Sequence, residues 1–105
     1  MPEPSPNYLA MMLPTLNAAQ AAELGPSAAA LKTLGLEDNA QFSVALYLME
    51  MLNASTEAEL DKHMNQGKGF AEGLSCARQI CSAACESLCR LFDEAADRGR
   101  LRVVV

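Results

Sequence analysis

The sequence predicts an all-α protein, a small bundle of four to five helices closed by a long C-terminal amphipathic helix. Three observations carry this. Half of the 105 residues are apolar, yet there is no Trp and there are only three Phe and two Tyr. Ala, Leu and Met supply much of the apolar content, and these residues favour helix. β-branched residues are few outside Val103–Val105, and apolar residues recur at helical rather than strand spacing through the second half. The length fits one domain, with a core of small and flexible side chains that is thin by itself.

Pro2, Pro4 and Pro6 open the chain in an extended run. Tyr8 to Leu13 is a compact apolar cluster closed by Pro14, so residues 1–14 read as a proline-rich N-terminal arm. A first helix is expected from Thr15 to Leu24, stopped by Gly25-Pro26. Ser27 is placed to cap a second helix that ends at Gly35.

The third helix is expected from Asp38 or Asn39 to about Asn53. It contains the most informative segment, F-S-V-A-L-Y-L-M-E-M-L, from Phe42 to Leu52. At about 100° per residue this segment is apolar almost all the way round. Only Ser43, Glu50 and the Tyr47 hydroxyl interrupt it. A surface helix usually keeps one apolar stripe and a polar back. Burial on two sides is therefore expected, with Leu46 and Leu48 pointing roughly 160° apart. One side meets the core and the other meets another chain. Phe42, Val44, Leu46, Leu48, Met49, Met51 and Leu52 are the candidate partner or dimer interface.

Thr56 and Glu59 have the spacing of a capping box, which predicts a short fourth helix over E-A-E-L-D-K-H-M. Gly67-Lys68-Gly69 reads as a linker. Beyond it, Leu74, Ala77, Cys81, Ala84, Leu88, Leu91 and Ala95 alternate at spacings of three and four. Glu72, Gln79, Glu86, Arg90 and Asp97 occupy the opposite face. A helix from Phe70 to Arg98 is expected, stopped by Gly99, so the helical domain spans 15–99 and the tail 100–105. The tail L-R-V-V-V can form a short strand or pack on a neighbour.

The formal net charge is −5 and unevenly spread. Residues 1–60 hold one Lys against seven acids, while residues 61–105 hold seven bases against six. An acidic first half repels phosphate backbones. Arg98, Arg100 and Arg102 read as a helix terminus and a solubilising tail, because no aromatic platform accompanies them. Direct nucleic-acid binding is not expected. The N-terminus lacks a basic region and a long apolar stretch, and no window reaches the roughly 20 apolar residues of a membrane span. A cytoplasmic protein with reduced cysteines is expected, with no membrane contact.

Cys76, Cys81, Cys85 and Cys89 invite a metal or redox reading. On one helix Cys81, Cys85 and Cys89 share a side and Cys76 falls towards the opposite one, so a single helix does not gather four thiols round an ion. The spacing also differs from the paired C-x2-C of structural zinc sites. Free Cys packs as a small hydrophobe, and packing is the reading adopted, with no metal site and no cofactor. His63, the only histidine, has no nucleophile motif near it in sequence and reads as an exposed helix residue. No catalytic residue is assigned and no enzyme is expected. Met11, Met12, Met49 and Met51 suit surfaces that adapt to a partner.

With its acidic balance, proline-led N-terminus and the run G-F-A-E-G-L-S-C-A-R-Q-I-C-S-A-A-C-E-S-L-C, the chain resembles the small bacterial helical anti-activators, including those of quorum sensing. That resemblance implies a dimeric helical protein that binds a transcription factor and blocks its dimerisation by steric competition. It carries over no binding residue. The expected function is a non-enzymatic module that sequesters a protein partner, a transcriptional regulator, and forms a homodimer. The alternatives are a small acidic secretion chaperone and a thiol-based metal-binding or redox-sensing protein.

Overall fold

A computed structural model describes residues 16–103. These residues are all-helical and form four helices: α1 (Ala18–Leu34), α2 (Asp38–Asn53), α3 (Glu57–Cys76) and α4 (Ser82–Val103). The expected N-terminal arm, including the Tyr8–Leu13 cluster, lies outside the described residues, as do the last two valines.

Asn17 starts α1 with a reciprocal capping box. Its Oδ1 accepts from the Gln20 N–H at 2.8 Å, and its own N–H donates to Gln20 Oε1 at 3.1 Å. The helix then runs through Gly25-Pro26, so the two helices expected here are one, with Pro26 inside it. Proline removes a single backbone donor. Pro26 faces outward while Leu24, Ser27, Ala28 and Leu31 are buried, so packing on both sides of Pro26 holds the helix together. Ser27 caps nothing. Its hydroxyl accepts from the Arg98 guanidinium, whose Nε also donates to the Glu23 carbonyl at 2.9 Å. Gly35 ends the helix as expected, with a left-handed φ of 62°.

Helix α2 spans the expected residues, but its cap is Glu37, whose carboxylate accepts from the Ala40 N–H at 3.1 Å. Thr56 starts α3 as expected, with its hydroxyl 3.1 Å from the Glu59 N–H. The Glu59 carboxylate returns to the Ser55 N–H at 2.9 Å, one residue before the cap itself. Helix α3 does not stop at Gly67-Lys68-Gly69 but continues to Cys76. The long helix expected from Phe70 to Arg98 is broken instead at residues 77–81, where Arg78 takes a left-handed φ of 60°. Nor does Gly99 stop the last helix, which carries Arg100, Leu101 and Arg102 on to Val103, so no strand forms over these tail residues.

These departures share one cause. The heptad pattern is satisfied by folding back on itself. A single helix of that length would be a rod of roughly 40 Å with little to bury its stripe against. Folded at residues 77–81, α3 and α4 lie antiparallel, as Leu60 against Gly99 and Gly67 against Phe92 show. Lys68 pairs with Asp93 at 2.9 Å and Arg100 with Asp61 at 2.9 Å along the same seam. Leu88, Leu91 and Ala95 are buried, Leu91 beside Ala30 and Leu34 of α1, whereas Ala77 and Cys81, expected in the seam, are exposed at the turn. The core centres on Phe92, Leu31, Leu48, Met51, Leu60, Leu88 and Val44. The Tyr47 ring joins it, 5.8 Å from the Phe70 ring and 6.4 Å from that of Phe92.

Candidate protein-binding surface

Helix α2 has two sides of different character. Val44, Leu48, Met51 and Leu52 are buried, with Val44 at 0 % and Leu48 at 2 % exposure. They fill the chain's own core, so these four of the seven candidate interface residues are not available to a partner. The reason is the helical period: with Ala40, Gln41 and Ala45 they form one continuous inward face. Leu46 is 49 % exposed and Phe42 47 % exposed on the other side, and Met49 is half-buried beside them. Leu46 and Leu48 thus lie on opposite sides, with Leu48 towards the core.

Next to this face is a groove that the sequence did not reveal. It lies at one end of the bundle, where the turn between α1 and α2 meets the turn between α3 and α4. A cavity of about 370 Å³ is lined by Leu34, Leu36 and Ala40 on one side and by Leu74, Ile80 and Ala84 on the other. Glu37 and Gln79 supply polar groups. A second cavity of about 390 Å³ shares Glu37, Ala40, Leu74 and Gln79 with the first and extends to Ser43 and Phe70. Ser43 is one turn from Leu46 on α2. Phe42, Leu46 and Met49 line neither cavity, so Ser43 is the link between the trough and the outer face of α2.

Local structure explains the trough. Left-handed Gly35 turns the chain so that Leu36 and Ala40 face inward. Left-handed Arg78 lets Gln79 donate its N–H to the Leu74 carbonyl at 2.9 Å, and this places Ile80 beside Leu74. The Cys81 sulfur, 3.4 Å from the Ala84 N–H, then caps α4. Nothing in the sequence marks Arg78 for a left-handed conformation that Gly or Asn would advertise, so the groove was illegible.

The cysteines divide by position. Cys76 and Cys81 are exposed, and Cys85 and Cys89 are half-buried against the core cluster. Burial first, and then the neighbouring Cys85 thiol, push the Cys89 thiol above its ordinary value. Among the described residues no group of three or more His, Cys, Asp or Glu is placed to hold a metal ion. His63 is less exposed than expected. Its Nδ1 lies 2.8 Å from the Glu50 carboxylate and 3.0 Å from Gln66 Oε1, tying α3 to α2. Gly67-Lys68-Gly69 is a packing site rather than a linker. Lys68 hydrogen-bonds Asp93, which holds its ammonium above the ordinary lysine range.

The three C-terminal arginines are cross-braces. Arg98 reaches α1, and Arg100 reaches Asp61 and Glu57 on α3. Arg102 pairs with Glu23 at 2.8 Å and donates to the carbonyls of Met51 and Ala54 at the end of α2. A cation there satisfies carbonyls that the helix end leaves open. Among the described residues no helix is long and apolar enough to cross a membrane.

Comparison with protein-family models, curated proteins and solved structures finds no match to this chain.

Proposed function

We propose that this chain is a non-enzymatic binding module that sequesters a protein partner, a transcriptional regulator, by covering the surface that the regulator needs to dimerise. The observation that carries the reading is the division of α2. Its inner face is fully used by the core, yet Leu46 stands half-exposed on the outer face, beside a partly apolar trough. Exposed apolar surface next to a concavity is the usual mark of an interaction site. The outer face around Leu46 is also the proposed contact between two copies of the chain. The fit to a regulator comes from the resemblance to helical anti-activators.

The test is affinity purification from the native cell with the wild-type chain and with Leu46→Asp. A regulator recovered by the first and lost by the second is the expected result. Recovery of the same proteins with both chains, or of no regulator with either, contradicts the proposal.

A further inference from the structure

The trough at the end of the bundle has a shape and a charge that narrow what it takes. Its two cavities run together over Leu74 and Gln79, which makes a channel rather than a closed pocket. Leu34, Leu74, Ile80 and Ala84 are half-buried along it and come from α1, α3, the intervening turn and α4. Large side chains projecting from one face of a helix at three- and four-residue spacing fit such a channel.

Among the described residues Glu37 is the one charged residue lining both cavities, while Arg78 lines a third cavity that meets the first at Gln79 and Ile80, at the other end of the trough from Ser43. Its Oε1 is held by the Ala40 N–H, so the carboxylate is fixed at the lip of the trough. Asp38 follows it, exposed, and the whole chain carries −5. An anionic occupant is repelled here, and a cation beside an apolar anchor is favoured.

Resting on the protein-binding reading above, we infer that the trough receives an amphipathic helix of the partner, with its apolar residues between Leu34 and Leu74 and a Lys or Arg beside Glu37. The partner segment is therefore a basic amphipathic helix, and the trough is its recognition site.

The experiment uses the full chain and two synthetic helical peptides of about five turns. Both carry leucines on one face, and the polar face is lysine in one and glutamate in the other. Fluorescence anisotropy should show saturable binding of the lysine peptide and about tenfold weaker binding of the glutamate peptide. Glu37→Gln, which keeps an oxygen for the Ala40 N–H, should weaken the lysine peptide by about threefold, the scale of one exposed ion pair. Glu86→Gln, the same charge change outside the trough, should leave it unaltered. Ala84→Phe should occlude the site. Because that variant can perturb α4, Gln79→Lys at an exposed lining position is the companion, and it should also weaken the lysine peptide. Equal binding of both peptides, or equal effects of Glu37→Gln and Glu86→Gln, overturns the inference. So does a concentration-dependent dimer of the chain that Ala84→Phe abolishes, because a second copy then fills the trough. A native partner that depends on Leu46 but is not displaced by the lysine peptide overturns this inference alone and leaves the protein-binding reading standing.

Discussion

Gly67 of α3 lies directly against the ring of Phe92 on α4, so close that a Cβ added to the glycine would fall 2.7 Å from Phe92 Cδ1. Phe92 is completely buried at the centre of the core. The glycine is therefore the socket for the largest fully buried side chain in the bundle. Its backbone is helical, and the missing side chain is what matters.

Gly67→Ala tests this against helix propensity. Propensity alone favours alanine by about 1 kcal/mol. The clash with Phe92 opposes it, and overpacking a closed core costs typically about 1–3 kcal/mol. The expected result in denaturant unfolding is a net loss of stability. Gly73→Ala, in the same helix with nothing within 4 Å of the added carbon, should gain about 0.4–1 kcal/mol. Equal effects of the two substitutions would remove the socket from the account.

Pro26 makes the opposite prediction. It is exposed in the middle of α1, and among the described residues neither packing nor a turn requires it. Pro26→Ala restores a backbone donor and relieves the ring's clash with the preceding turn. Stability should rise by about 1–3 kcal/mol, less than the full proline penalty because the present structure has already adapted to it. Calorimetry giving an unchanged or lowered melting temperature would mean that Pro26 has a part not assigned to it.

The cysteines should react in order of burial. Cys76 and Cys81 are exposed and should be alkylated by iodoacetamide first. Cys89 is held above the ordinary thiol value of 9.0, by burial and then by Cys85. Its raised value stabilises the neutral thiol in the fold. That contribution is fully present below pH 9.0 and is lost as pH rises through the folded value. Cys89 should therefore be the slower residue at pH 8 and should catch up only at more alkaline pH. Alanine at Cys81, Cys85 and Cys89 together should cost about 1 kcal/mol for each of the two half-buried thiols, and about 0.5 kcal/mol for Cys81, whose sulfur caps α4 at the Ala84 N–H. Mass spectrometry showing Cys89 alkylated before Cys76 at pH 8 would contradict this placement.

What the sequence revealed was mostly what local chemistry decides. The helical class followed from Ala, Leu and Met; Thr56 and Gly35 marked helix ends by capping; and Asp38–Asn53 emerged as one helix from its apolar run. The errors cluster at Gly25-Pro26, Gly67-Lys68-Gly69 and Gly99, all read as breaks and all inside helices. Gly67 and Gly99 are there for Phe92 and Leu60, partners roughly 25 and 40 residues distant in the chain. Local propensity does not see them. The surface was half legible. All-round apolarity announced that α2 has two faces, but assigning Val44, Leu48, Met51 and Leu52 inward needed the packing of the other helices. The trough was not legible, because it depends on a left-handed arginine.

The central claim is that α2 serves the core with one side and a partner with the other, and Leu48→Asp against Leu46→Asp measures it most directly. A buried unpaired charge costs several kcal/mol, a large part of the roughly 5–15 kcal/mol that holds a domain together. Leu48, 2 % exposed, should lose the cooperative helical unfolding transition when changed to Asp. Leu46, 49 % exposed, should keep the wild-type circular dichroism spectrum and melting behaviour while the partner complex, or the contact between copies, is lost. Two folded variants that both retain every binding activity would contradict the two-sided helix.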